Sequence, residues 1–452
     1  MRQGVVNSNN SSSPHVAPRV EPQAQPAVAL LHWIGKLPHS LKLGERAGAA
    51  PEFAFNPADF CPVLRTRLLI LQPTPFCNID CDYCYLPDRN STARMSLATL
   101  RLVADRLLED GLLGTDLSVV WHAGEPMVLS PGWYDEACAL LAERLAPHCT
   151  LKHSVQTNAT RVTDGWCALI KRWSMRVGVS VDGPAALHDA HRRTRDGKGT
   201  HARVREGMAR LRAAGIDFHA IAVVSPATLA LPDTFADFFE AEGIHELGCN
   251  FDEAEGLHTQ SSMAGHEAAH ADFLQHMLDR SLRPGNALTV RELVMAQHLV
   301  ATPLPLYRWR GQSWPDNMQV LPFALLNVAH DGSFSTFSPE LLGQPSVHFD
   351  NFLFGNVASG SYLAAANNPA FQRAWADIAR GVAACQAQCA HFGYCGGGAP
   401  ANKLYELADM GGTETLYCRT MLKRPFDAVL ARNEALLAAR QVPLESSAAR
   451  AG

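Results

Sequence analysis

From Thr66 onward, short apolar runs alternate with stretches whose apolar positions recur every three to four residues. Arg67–Leu71, Leu117–Trp121, His153–Thr157, Arg176–Val181, Phe218–Val224 and Gly248–Phe251 read as strands. Helical periodicity fills the gaps. Ser96 stands as an N-cap before Leu97, Leu100, Leu107 and Leu108, and further helices fit Trp133–Leu145, Gly165–Trp173, Arg203–Ala214 and Thr234–Glu242. Six such strand–helix units predict an α/β fold with a mostly parallel sheet. Residues 260–300 read as helix. The stretch after them carries Pro303, Pro305, Pro315, Pro322, Pro339 and Pro345, and reads as a connector with short hairpins. The expected organisation is therefore a disordered or irregular region over 1–63, an α/β unit over 64–300, a connector over 301–355 and a cysteine-bearing domain over 356–452. The first thirty or so residues hold too few apolar side chains to bury.

Composition narrows the partners. The chain has 452 residues, 47% hydrophobic and 18% charged, with a net charge of −5 and no long basic run. Nucleic-acid binding is not expected, because phosphate recognition needs clustered Lys and Arg. No apolar run is long enough to cross a bilayer, and Met1–Pro26 has no secretory core. A cytoplasmic location is the expectation, so the 12 cysteines are free to bind metal rather than pair.

Cys77, Cys81 and Cys84 are spaced Cys-x3-Cys-x2-Cys just after the first strand. Three thiolates can hold an iron–sulfur cube and leave its fourth iron open to a ligand. A zinc site normally completes a tetrahedron with a fourth nearby donor, which is missing locally. Parallel barrels place their sites at the C-terminal ends of the strands, where this loop falls. The motif resembles the signature of the radical S-adenosylmethionine (SAM) superfamily. That resemblance implies a partial (β/α)6 barrel, a [4Fe-4S] cluster at Cys77, Cys81 and Cys84, and SAM chelating the open iron. One electron from an external reductant such as a flavodoxin or ferredoxin would then yield a 5′-deoxyadenosyl radical.

The resemblance extends along the barrel. Trp121-His122-Ala123-Gly124-Glu125-Pro126 is similar to the superfamily's Gly-Gly-Glu-Pro motif, with Ala123 replacing its first glycine. It implies SAM contacts from Gly124, Glu125 and Pro126. Strand-tip polar residues Gln156, Asn158, Ser180 and Asp182, together with Arg192 and Tyr83, are the remaining expected contacts. Ser180 and Asp182 would lie beside the ribose, Arg192 near the carboxylate and Tyr83 against the adenine.

A second group, Cys385-x3-Cys389-x5-Cys395 followed by Cys418, surrounds Gly396-Gly397-Gly398. Four thiolates satisfy a cubane completely; a structural zinc is the alternative. The group resembles the SPASM-type iron–sulfur domain of peptide-modifying relatives, but ligands of one of that domain's two clusters are missing. One auxiliary [4Fe-4S] cluster is expected. Cys61, Cys138, Cys149, Cys167 and Cys249 show no ligand spacing.

Phrases such as Gln72-Pro73-Thr74-Pro75-Phe76-Cys77, Asp252-Glu253-Ala254-Glu255-Gly256, Ser338-Pro339-Glu340-Leu341 and Glu414-Thr415-Leu416-Tyr417-Cys418 are similar to the GrrM/OscB group of cyclophane-forming maturases, related to FxsB and XyeB. The resemblance implies a ribosomally synthesised precursor peptide as substrate. A ring carbon of an aromatic residue is joined to the Cβ of a residue two positions on. Asp252, Glu253 and Glu255 are candidate proton acceptors. Other readings are thioether formation or sulfatase maturation, although sulfatase-maturing relatives keep the auxiliary cysteines missing here. A non-catalytic iron–sulfur peptide-binding protein is a further class. His266-Glu267-Ala268-Ala269-His270, with Glu292 downstream, also matches a zinc-protease pattern.

Overall fold

A computed structural model describes residues 54–59, 64–309 and 312–441. The expectations for residues 1–53 and for Cys61 lie outside the described residues. The strands are β1 (Thr66–Leu71), β2 (Ile79–Cys81), β3 (Leu113–Trp121), β4 (Thr150–Thr157), β5 (Arg176–Ser180), β6 (Arg192–Thr194), β7 (Phe218–Val224), β8 (Glu246–Phe251), β9 (Thr289–Val290), β10 (Leu306–Trp309), β11 (Gln312–Pro315), β12 (Leu325–Val328), β13 (Ser333–Thr336) and β14 (Gly355–Asn356). One ten-stranded sheet runs β14-β13-β12-β1-β3-β4-β5-β7-β8-β9. Every pair from β12 to β9 is parallel. The six strands expected from the sequence form the middle of this sheet, in chain order.

Alternation along the strands sorts two faces. Leu117, Val119 and Trp121 of β3 are buried, and Trp121 packs edge-on against Tyr134 at 5.1 Å on the helix Pro131–Leu145. The other face carries Ser118, Ser154, Gln156 and Asn250, all half-buried, so the inner surface of the curved sheet is polar and accessible. Short polar caps set the helix starts: the Thr99 N–H donates to Ser96 Oγ at 2.9 Å, as the sequence predicts.

Two stretches differ from expectation. Residues 260–300 hold two helices, Glu267–Ser281 and Arg291–Ala301, with β9 between them. The proline-rich stretch expected to be a connector supplies β12, which pairs parallel with β1, and β13 and β14, which extend the same edge antiparallel. Leu325–Val328 is buried at all four positions, as a strand covered on both faces should be. The flanking prolines mask so short a run.

Behind this edge lies an aromatic core. Phe371, on the helix Pro369–Gln388, stands 5.5 Å from Phe323 and 5.7 Å from Phe337. Phe55 joins it at 5.3 Å, and its N–H donates to Gln372 Oε1 at 2.7 Å. The segment around Phe55, expected to be irregular, is thus docked on the helix Pro369–Gln388.

Candidate active site

The loop leaving β1 carries the first three cysteines. β2 pairs antiparallel with β6, which sets Cys81 directly opposite Arg192. The Arg195 guanidinium donates twice to the Cys77 carbonyl, at 3.1 and 2.7 Å, and once to the Arg89 carbonyl, closing the loop on itself. Cys81 is buried, while Cys77 and Cys84 keep exposed surface. Burial pushes the Cys77 and Cys81 thiols up to about 12. Such sulfurs stay protonated on their own and become thiolates when a metal supplies the charge. Three of them around one open loop fit an iron–sulfur cluster.

The loop after β3 is packed against this one. The Glu125 N–H donates to the Phe76 carbonyl at 2.8 Å. Gly124 has φ +57°, and a Cβ there would lie 2.6 Å from both the Thr74 and Phe76 carbonyl oxygens. Only glycine allows this approach. Ala123 also lies in the left-handed region, at φ +67°. The Glu125 carboxylate is buried and occupied: it accepts from Met127 N–H at 2.9 Å, Thr157 Oγ1 at 2.7 Å and Asn158 N–H at 2.7 Å. The Glu125 side chain thus ties the tip of β3 to the tip of β4.

The other expected contacts gather at the strand tips. Gln156 Nε2 donates to Ser180 Oγ at 2.9 Å. Asn158 Nδ2 donates to Asn78 Oδ1 at 3.0 Å and lies 4.0 Å from Cys77 Sγ. Arg192 makes a two-pronged contact with Asp182 at 2.8 and 3.0 Å, and Tyr83 Oη donates to the same carboxylate at 2.5 Å. Burial favours the neutral acid at Asp182, but the Arg192 charge and these hydrogen bonds outweigh it and hold the carboxyl below its usual range. Arg192 and Tyr83, expected near the carboxylate and the adenine, thus both bind Asp182 at the strand tips.

In the C-terminal segment Cys385, Cys389, Cys395 and Cys418 line one cavity of about 280 Å³. Cys385 Sγ and Cys418 Sγ each lie 3.8 Å from the Thr413 carbonyl oxygen. Gly396, Gly397 and Gly398 all have positive φ, and the Asn317 amide donates to the carbonyls of Cys395 and Gly398 at 2.9 and 2.8 Å. Among the described residues no three His, Cys, Asp or Glu side chains close tightly enough for a single ion. Four thiols lining one cavity match the ligand number of a cubane.

Two of the three candidate proton acceptors come together. Glu253 accepts from Asn402 Nδ2 at 2.7 Å, an amide on the far C-terminal helix Pro400–Leu407. Burial, opposed by hydrogen bonds from Asn402 and Glu255 but reinforced by Glu340 and Glu406, pushes Glu253 up to about 8. Burial and the charges of Glu340 and Glu253 hold Glu255 well above the carboxylate range. Burial also raises Glu340 to about 7. Tyr85, Tyr405 and Tyr417 share the electrostatic environment of Glu255 and Glu340. Asp252 does not join: its Oδ2 accepts from the Ser262 N–H at 2.9 Å, and its Oδ1 lies 2.8 Å from His258 Nε2. Glu340 was not among the expected acids, since no local spacing links it to residue 253.

The protease pattern is not assembled. His270 is fully buried, 4.0 Å from the Phe251 ring, and His266 only precedes the helix. Glu292 accepts from the Cys249 N–H at 2.9 Å and pairs with Arg291. Cys138, Cys149, Cys167 and Cys249 are buried and apart from both thiol groups.

A curved parallel sheet with a three-thiol loop at its C-terminal edge defines a class of cluster-dependent barrel proteins. The Radical SAM superfamily matches over residues 71–238. An uncharacterized protein of Synechocystis sp., sll1766, is 35% identical over 372 residues, covering 81% of this chain and 91% of that one. The serine-type anaerobic sulfatase-maturating enzyme of Bacteroides thetaiotaomicron is 28% identical over 233 residues, 47% of this chain; the match spans 54% of that enzyme's length. Among solved structures, native anSMEcpe with bound AdoMet superposes with a TM-score of 0.64 at 19% identity, covering 82% of this chain and 98% of that one. The chain belongs to the radical SAM superfamily. It is an enzyme of that superfamily, whose members use SAM and a [4Fe-4S] cluster. No helix among the described residues is long and apolar enough to cross a membrane.

Proposed function

We propose that this enzyme crosslinks side chains of a ribosomally synthesised precursor peptide, joining an aromatic ring carbon to the Cβ of a residue two positions on. The observation that carries the reading is the buried acidic group after β8, where Glu253 accepts from Asn402 Nδ2 at 2.7 Å and the charges of Glu253 and Glu340 act on Glu255. Cys77, Cys81 and Cys84 hold the first cluster, and SAM bound there supplies a hydrogen-abstracting radical. Asn158 sits beside Cys77, and Arg192 and Asp182 fix the wall beside Cys81. Gln156 and Ser180, on the inner face, orient the cofactor's polar groups.

Ring closure requires the peptide to lose one hydrogen atom from Cβ, then one proton and one electron from the ring. Glu253, Glu255 or Glu340 accepts the proton, because a carboxylate raised toward neutrality holds and releases it at working pH. Cys385, Cys389, Cys395 and Cys418 form the site that takes the electron, with a flavodoxin or ferredoxin as the external one-electron donor and acceptor.

Sulfatase-type oxidation is the second reading, favoured by the likeness to serine-type maturating enzymes. Oxidising a serine to an aldehyde also removes two hydrogens, so intact mass does not separate the two. A candidate precursor peptide should be co-expressed with this chain and fragmented by tandem mass spectrometry. The crosslink leaves three residues without internal backbone fragments and unreactive toward hydroxylamine. A hydroxylamine-reactive product with normal fragmentation sinks the crosslinking proposal.

A further inference from the structure

Lys403 lies on the helix Pro400–Leu407, just after the three glycines that follow Cys395. Only 2% of its surface is exposed. A buried ammonium is costly unless an anion compensates it. Among the described residues no carboxylate pairs with Lys403; its Nζ donates instead to Cys385 Sγ at 3.4 Å. Glycines shape its approach. A Cβ at Gly381 would come 3.1 Å from Nζ, and one at Gly398 would come 3.9 Å from Cε. A neutral thiol is a weak acceptor and carries no charge to match. A thiolate bound to an iron–sulfur cluster carries the missing negative charge.

We propose that Lys403 is the charge partner of the auxiliary cluster and raises its reduction potential. The proposal rests on the reading of Cys385, Cys389, Cys395 and Cys418 as cluster ligands. The physical reason is that cluster potential follows net charge and hydrogen bonds to the sulfurs. A cation beside Cys385 favours the reduced, more negative state. Such a cluster accepts the electron left over from substrate oxidation more readily.

The test uses full-length chain reconstituted anaerobically, with Cys77, Cys81 and Cys84 changed to alanine so that the auxiliary cluster is alone. About four irons per chain should remain. Their midpoint potential is then read by electron paramagnetic resonance during redox titration, with Lys403→Met and Lys403→Arg added separately. The Met variant should make reduction at least tenfold less favourable, about 59 mV for one electron, whereas the Arg variant should stay within that limit. A Met variant that folds but loses iron, while Arg keeps it, also supports a required cation. An unchanged midpoint in the Met variant, an equal shift in both variants, or loss of iron from both overturns the role of Lys403, while iron kept by the parent triple variant leaves the four cysteines as cluster ligands. An iron-free triple cysteine variant overturns the cluster reading and this proposal together.

Discussion

Gly124 offers a direct test of how the two site loops are joined. Changing it to alanine imposes two separable costs. The left-handed backbone at φ +57° disfavours any Cβ by about 1–2 kcal/mol. The added methyl group also falls 2.6 Å from two carbonyl oxygens and 2.9 Å from the Pro75 carbonyl carbon, which belong to the backbone of the Cys77 loop. Backbone cannot rotate away as a side chain can, so overpacking adds about 1–3 kcal/mol. Gly111 is the natural control: its φ is +64°, yet nothing lies within 4 Å of the point where a Cβ would stand. Gly111→Ala should therefore show the backbone cost alone. Relief of the collision would push Thr74–Phe76 outward and with it Cys77. The expected result is a lower thermal midpoint for Gly124→Ala than for Gly111→Ala, and a fall from about eight to about four irons per chain after anaerobic reconstitution. If the two alanine variants melt together and keep the same iron, the packing argument is wrong.

The carboxylate cluster predicts two opposite pH effects. Proton acceptance needs an ionised glutamate, so turnover measured with precursor peptide should rise through pH 7 to 8, and Glu340→Gln should flatten that rise. Stability should run the other way. Glu253 binds its proton more tightly folded than unfolded, so stability is lost as pH climbs from its ordinary value of 4.5 toward 8, and Glu253→Gln should lessen the drop in melting temperature between pH 5 and 8. Arg192→Lys removes the two-pronged grip on Asp182; a loss of about 1–3 kcal/mol and weaker SAM binding by calorimetry are expected, and wild-type affinity would count against the pocket wall described above. Ala123→Gly relieves a left-handed alanine and should raise the thermal midpoint by an amount equivalent to about 1 kcal/mol or less, with an unchanged or lower midpoint refuting strain there.

What could be read from the sequence was what is local. β1 announces itself through the run Leu68-Leu69-Ile70-Leu71, and β3, β4 and β7 through alternation, because every second side chain is buried while its neighbour faces the polar inner side. The two cysteine groups were visible because metal ligands in a tight loop must recur at short spacing. β12 was hidden by neighbouring prolines, and nothing before folding pairs Leu325–Val328 with β1. Glu340 meets Glu255, and Lys403 meets Cys385, only through tertiary packing. The Glu125 carboxylate carries the opposite lesson: its motif was recognisable, but its three backbone and hydroxyl donors were not.

The pairing of β2 with β6 has a temporal consequence. Arg195 grips the Cys77 carbonyl from 118 positions further along the chain, and Cys81 finds its strand partner only at Arg192. A nascent polypeptide leaving the ribosome therefore exposes its first three thiols well before it can shape a pocket for them. Cluster delivery in the cell must wait for that later strand, or a carrier must shield the thiols in the interval.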